Sequence, residues 1–279
     1  MTAFRKMHGL GNDFVVFDGR SGGFALDEAT ARAIADRRTG IGCDQVIVLE
    51  SPAAGADAGM RIFNADGDEV EACGNAARCV AQLMLAESDK TSVRIDTLGG
   101  RLVCSDAGPG AVTVDMGTPR LNWQDIPLSR RIDTRGFPLD VDGRPFDAAA
   151  VSVGNPHCVL FVVDADDAPV SRIGPKVETH PLFPARTNVE FVSVISRERL
   201  RMRVWERGVG ITRACGTGAC AAAVAAHRRD LSERKVEIVL DGGTLAIEWR
   251  EDDDHILMTG GATLAYTGDI DLGALEWRP

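Results

Sequence analysis

The sequence is poor in the residues that announce common chemistries: among 279 residues there are four lysines, a single tyrosine and no Cys-x-x-C pair. No lysine follows a glycine, and no Gly-x-Gly-x-x-Gly follows a strand, so a phosphate loop or a dinucleotide fold has no foothold and no cofactor is called for. Acidic residues outnumber basic ones by 41 to 31, giving a net charge of −10 without any basic stripe. That balance excludes nucleic acid or an anionic membrane as the main partner and leaves a small molecule. The first nine residues hold no apolar core of a secretory leader, and no later run is long enough to cross a bilayer, so the expected location is cytoplasmic. The seven cysteines, at positions 43, 73, 79, 104, 158, 215 and 220, lack zinc-type spacing with one another or with histidine, and no metal site is expected. In a reducing compartment they are free thiols by default. Cys79, Cys104 and Cys220 sit in apolar runs and read as small buried hydrophobes.

The sequence does contain a long internal repeat. Eighteen residues from Met60 align without a gap on eighteen from Met202, so that Ala72-Cys73-Gly74 corresponds to Ala214-Cys215-Gly216 at an offset of 142. Gly11-Asn12 matches Gly154-Asn155, and Gln45-Val46 matches Asn188-Val189, both at 143. A period this long means two domains and not a solenoid. Duplicated folds place equivalent loops face to face, so the repeat predicts two thiols, Cys73 and Cys215, in one cleft.

Alternating or β-branched runs predict strands at 14–17, 46–49, 61–63, 93–95, 102–104 and 112–116, and again at 151–153, 159–163, 189–194, 201–205, 236–240, 245–249 and 256–258. Residues 27–37 read as an amphipathic surface helix. The segments 76–85 and 219–226, directly after the two cysteines, are apolar nearly all round and predict buried helices. The expected fold class is α+β, with two pseudo-symmetric domains, each a curved, mostly antiparallel sheet around a central buried helix. The halves are expected at 1–117 and 118–263, with 264–279 packing back on the first, and the proline-punctuated stretch 117–146 is taken as the crossing.

A cysteine at a helix start sits among unpaired backbone N–H groups at the positive end of the dipole, which predicts a thiol pKa lowered toward neutrality. The same N–H groups can hold a carboxylate. Two such cysteines on opposite faces of one carbon are what stereochemical inversion needs: one thiolate removes the α-proton and the other thiol returns a proton from the far side.

These residues are familiar as a set. Residues 6–14 (Lys6-Met7-His8-Gly9-Leu10-Gly11-Asn12-Asp13-Phe14), Asn64-Ala65-Asp66-Gly67, the run from Ala72 to Cys79, Gly154-Asn155-Pro156-His157-Cys158, Thr187-Asn188-Val189-Glu190-Phe191 and the run from Trp205 to Gly218 together resemble the diaminopimelate epimerase family, in order and over nearly the whole chain. The resemblance implies that family's fold and a cofactor-independent isomerase that interconverts LL- and meso-2,6-diaminopimelate, in lysine and peptidoglycan synthesis. It implies Cys73 and Cys215 as the two bases, with Gly74-Asn75 and Gly216-Thr217 binding the reacting carboxylate and His157 and Glu206 tuning the thiols. Asn12, Gln45, Asn64, Asn155, Asn188, Glu206 and Arg207 match substrate-binding positions, and Tyr266 matches a residue of a homodimer interface. Ala76 and Ile211 depart from the residues more common in the family. The closest rival reading is a proline racemase relative using the same two-thiol logic; a redox or zinc protein lacks the cysteine spacing. Cys73 and Cys215 are further expected to oxidise reversibly to a disulfide in the empty enzyme.

Overall fold

The computed structural model of the chain describes residues 1–22, 24–71 and 73–275; Ala72, in the first cysteine motif, and 276–279, in the terminal segment, lie outside the described residues. The chain divides into two compact units, Met1–Val114 with the described residues after Thr259, and Asp115–Thr259. In chain order the elements are β1 (Thr2–Gly9), β2 (Asn12–Asp18), α1 (Glu28–Ala35), β3 (Gln45–Glu50), β4 (Ala58–Asn64), β5 (Glu69–Val70), α2 (Gly74–Ala86), β6 (Ser92–Thr97), β7 (Gly100–Asp106) and β8 (Ala111–Asp115). They continue with β9 (Phe137–Val141), β10 (Arg144–Ser152), β11 (Pro156–Phe161), α3 (Val170–Glu178), β12 (Asn188–Ser196), β13 (Arg199–Glu206), β14 (Gly210–Thr212), α4 (Gly216–Arg228), β15 (Lys235–Leu240), β16 (Gly243–Trp249), β17 (Ile256–Gly261) and β18 (Thr263–Ile270). The architecture is α+β, dominated by sheet, and made of two repeated halves.

In the first unit the sheet runs β18, β1, β2, β3, β4, β6, β7, antiparallel except for β2–β3 and β4–β6. Helix α2 packs on β1, β2, β6 and β7, strands from both ends of that order, so the sheet curls around it. Small residues make this possible: Gly74, Ala76, Ala77 and Ala81 are buried and let the strands approach closely. The amphipathic α1, capped by Asp27, whose carboxylate accepts from the Thr30 N–H at 2.8 Å, covers the outer side at β3 and β4.

The second unit repeats the plan. Its order is β9, β10, β11, β12, β13, β15, β16, β17, with β11–β12 and β13–β15 as the parallel pairs. Helix α4 packs on β10, β11, β12, β13, β15 and β16, and is buried from Gly218 through Ala226. Helix α3 covers β9, β12, β13 and β14. Both cysteine helices are 13 residues long and begin 142 residues apart, the offset of the repeat.

The stretch 117–146 corrects the expectation of a crossing. It forms β9 and the start of β10, and places Ile126, Leu128, Phe137 and Leu139 in the core of the second unit. The prolines fit because Pro138 is exposed in β9, the first strand of that sheet, where a missing N–H is tolerated. Among the described residues no helix is long and apolar enough to cross a membrane.

Candidate functional site

In the first unit a tight hairpin carries the first polar residue. Gly9 pairs with Asn12 across a two-residue turn in which Leu10 and Gly11 have φ of +57° and +85°. Positive φ at both central positions matches the right-handed strand twist of a type I′ hairpin. The turn aims Asn12 at the start of α2, where Cys73 holds extended backbone and its carbonyl receives the Ala77 N–H at 2.9 Å. The half-buried Cys73 Sγ donates to Asn12 Oδ1 at 4.0 Å, and Asn75 Nδ2 donates to the same oxygen at 3.1 Å. Gln45 and Asn64 face each other across β3 and β4, with Gln45 Nε2 donating to Asn64 Oδ1 at 2.9 Å. Gln45 Oε1 is buried without a hydrogen-bond partner among the described residues.

Beneath Asn12 lies an ion network that the sequence did not reveal. Asp44 Oδ2 accepts from Asn12 Nδ2 at 2.9 Å, and Arg37 bridges Asp44 and Asp13 at 2.8 and 2.7 Å. Lys6 Nζ donates to Asp13 at 2.6 Å and to the Gly42 carbonyl. Burial would raise the Asp13 pKa, but hydrogen bonds from Arg37 and Lys6 outweigh it and hold the carboxyl well below its ordinary range.

In the second unit Cys215 is buried at the start of α4, and its carbonyl receives the Ala219 N–H at 3.0 Å. Its sulfur lies 3.6 Å from Thr217 Oγ1 and within the electrostatic reach of the Glu206 carboxylate. Thr212 Oγ1 donates to Glu206 Oε1. The His157 ring is fixed at both nitrogens: Nδ1 bonds Glu190 Oε1 at 2.7 Å and Nε2 bonds Asn155 Oδ1 at 2.9 Å. Asn155 Nδ2 in turn donates to Thr217 Oγ1 at 3.5 Å. Asn188 spans two segments, donating to the Pro156 carbonyl at 3.1 Å and accepting the Arg207 N–H at 2.9 Å. Asn155, His157, Asn188, Glu206, Arg207, Cys215 and Thr217 are thus joined by contacts around one helix start.

The expectation of a thiol shifted toward neutrality is corrected at Cys215. Burial pushes this thiol well above its ordinary value, the carboxylates of Glu206 and Glu190 push the same way, and the Thr217 hydroxyl and Gly218 N–H only partly oppose them. The helix-start donors act on this sulfur, but the loss of water and the two carboxylates outweigh them. Glu206 is itself raised, by burial first, against Thr212, Cys215 and His157. All seven cysteines are free thiols, and burial pushes Cys43 and Cys79 up to about 12.

Four contributors were assigned no role from the sequence. Glu190 is fully buried in β12 against His157, and Gly218 gives the close approach of α4 to it. Glu178 accepts from Trp205 Nε1 at 2.6 Å and from the Gly208 N–H at 3.0 Å, pinning the turn that carries Glu206 and Arg207. Asp44 is the fourth. Of the family departures, Ala76 is fully buried in α2 and Ile211 is exposed in β14. Tyr266 is half-exposed on β18, edge-on to Phe4 with ring centroids 6.1 Å apart.

The model of the diaminopimelate epimerase family matches residues 4–122 and 149–265. The diaminopimelate epimerase of Erythrobacter litoralis is 54% identical over 98% of this chain and 98% of its own length. That of Phenylobacterium zucineum is 52% identical over 96% of this chain and 97% of its own. Among solved structures, a hydroxyproline epimerase from Agrobacterium vitis with bound trans-4-hydroxy-L-proline superposes with a TM-score of 0.68 at 16% identity, over 96% of this chain and 90% of its own. At that identity it speaks for the fold alone.

Proposed function

This chain belongs to the diaminopimelate epimerase family, and on that premise we propose that it interconverts LL- and meso-2,6-diaminopimelate without a cofactor, with Cys73 and Cys215 as its acid and base. Inversion at a carbon needs the proton to leave one face and return at the other, so two groups must act. The observation that carries the reading is that two cysteines, each directly followed by Gly, head two equivalent helices in the two halves of the repeat. One sulfur takes the α-proton as thiolate; the other gives its thiol proton to the carbanion, and the roles exchange for the opposite epimer.

Burial holds Cys215 as a thiol, which suits it to donate. To act as base it must first lose that proton, and the buried Glu206 carboxylate, whose charge already acts on the thiol, is the acceptor proposed for it. The carbanion needs preorganised donors in a dry site, and the N–H groups of Gly74-Asn75 and Gly216-Thr217 are suited to the α-carboxylate. The unpartnered Gln45 Oε1 offers an acceptor to a substrate ammonium. Asn64, Asn155, Asn188 and the Arg207 guanidinium complete the proposed binding set, and a guanidinium suits a second carboxylate. His157, held between Glu190 and Asn155, tunes the Glu206 charge and through it the thiol.

The proposed setting is the cytoplasm, and the proposed assembly a homodimer through the exposed face of β18 at Tyr266. Sedimentation as a monomer at micromolar concentration rejects that assembly.

The test is incubation with LL-diaminopimelate in heavy water under a thiol reductant, following α-deuterium and isomer ratio, with proline as a parallel substrate. Cys73→Ala and Cys215→Ala should each abolish inversion. Turnover retained in either rejects the two-thiol mechanism, and turnover of proline in its place rejects the substrate.

A further inference from the structure

The start of α2 is wired by a hydrogen-bond chain of fixed direction. Arg78 Nη2 donates to Asn75 Oδ1 at 2.8 Å, Asn75 Nδ2 donates to Asn12 Oδ1 at 3.1 Å, and Asn12 Nδ2 donates to Asp44 Oδ2 at 2.9 Å. A side-chain amide has nearly the same shape when turned by half a rotation, so sterics alone do not decide which atom faces which neighbour. The ends of this chain do decide. A guanidinium only donates and a carboxylate only accepts, so the two amides between them can run in one sense alone.

Both ends are themselves anchored. Arg78 is fully buried, its Nε donates to the Gly261 carbonyl at 3.3 Å, and a β-carbon on Gly9 would stand 3.0 Å from its Nη2. Asp44 accepts from the Asp13 N–H at 3.0 Å and from Arg37 Nη2 at 2.8 Å, so both carboxylate oxygens are held. The result at the centre of the chain is that an acceptor oxygen, Asn12 Oδ1, faces Cys73 Sγ at 4.0 Å. The opposite sense would turn an N–H on the sulfur.

We infer that Asp44 and Arg78 are positioning residues that lock the Asn12 and Asn75 amides in the sense that presents Asn12 Oδ1 to the Cys73 thiol. The inference rests on the proposed roles of Cys73 and Asn12. Neither Asp44 nor Arg78 touches the sulfur; each acts through an amide. The acceptor orients the Cys73 S–H and gives its proton a defined place between half-reactions.

Asp44 is the better end to test, because its side chain is 44% exposed and its removal leaves the core intact. Asp44→Ala should lower kcat/KM about tenfold, the scale of a misplaced catalytic contact, with a nearly unchanged Tm. Asp44→Asn keeps an oxygen that can face Asn12 while the exposed Arg37 turns away, and should restore most of the activity. In an Asn12→Ala background, Asp44→Ala should change kcat/KM by less than about twofold, because the two side chains then act as one unit. A full, additive loss in that background, or no loss in Asp44→Ala while Asn12→Ala is crippled, overturns this inference alone. An Asn12→Ala protein with undiminished turnover overturns the reading of the site, and this inference with it.

Discussion

Gly218 lies so close to Glu190 that a β-carbon on it would stand 2.8 Å from Glu190 Oε1, and 3.2 Å from the Cys215 sulfur. Glu190 is fully buried and bonded to His157, so its carboxylate cannot swing aside into water. Helix α4 can start at this depth, with Cys215 against two carboxylates, because the position has no side chain.

Gly218→Ala therefore sets helix propensity against packing. Inside a helix the substitution would ordinarily stabilise by about 1 kcal/mol. Here the methyl has to displace Glu190 or the sulfur, so turnover should fall at least about tenfold and Tm should not rise. A more stable protein with full activity would show that the crowding is relieved at no cost.

Glu206→Gln separates two effects of one carboxylate. Its charge, added to burial and to Glu190, holds the Cys215 proton on, so neutralising it should lower the thiol pKa. Alkylation of Cys215 at about pH 8, followed by peptide mass spectrometry, should speed up about three- to fourfold for each pH unit that the titration moves, since the gain in thiolate is partly offset by its lower nucleophilicity. Epimerisation should slow at the same time, because the amide cannot accept the proton. Slower alkylation would mean that Glu206 helps the thiolate and does not oppose it.

The halves of the fold were legible where composition is extreme. The Ala- and Gly-rich text after Cys73 and Cys215 has only one use in a sheet-rich chain, a helix that strands can approach from all sides. Helix α3 was invisible because Gly174 and Pro175 sit inside it; Gly174 is there because Trp205 packs against its α-carbon, where a methyl would come within 2.5 Å of the ring. Strands β1 and β18 escaped notice, since β18 buries none of its residues and their pairing joins residues more than 250 positions apart. In the site, paired motifs marked Asn12, Gln45, Asn155 and Asn188. Glu190 lay in a motif without a role and Asp44 lay outside the motifs, because what they do follows from neighbours on other segments, His157 on β11 and the Asn12 hairpin.

Asp13 predicts an acid-side response. Its folded pKa lies below the ordinary value of 3.8, so the folded state favours the ionised carboxylate. The resulting stability is present in full above that ordinary value and is lost as pH falls below it toward the folded pKa. Asp13→Asn gives up this contribution at every pH. The Tm gap between the natural chain and Asp13→Asn should be wide at about pH 7, begin to narrow only below the ordinary value of 3.8, and keep narrowing as the pH falls further. A gap that stays constant across that range would assign the loss to packing.

The hairpin at Leu10 and Gly11 offers a way to move Asn12 without altering any polar group of the site. Both turn residues hold positive φ, which costs an L-residue with a β-carbon about 1–2 kcal/mol. Asn visits that region more readily than Leu because its short side chain can bond locally. Gly11→Ala should therefore destabilise by about 1–2 kcal/mol and, by opening the turn, should also draw Asn12 away from Cys73 and lower kcat/KM. Leu10→Asn relaxes the same turn and should leave kcat/KM intact. Equal losses in the two variants would show that the site depends on the Leu10 side chain and not on the backbone that aims Asn12.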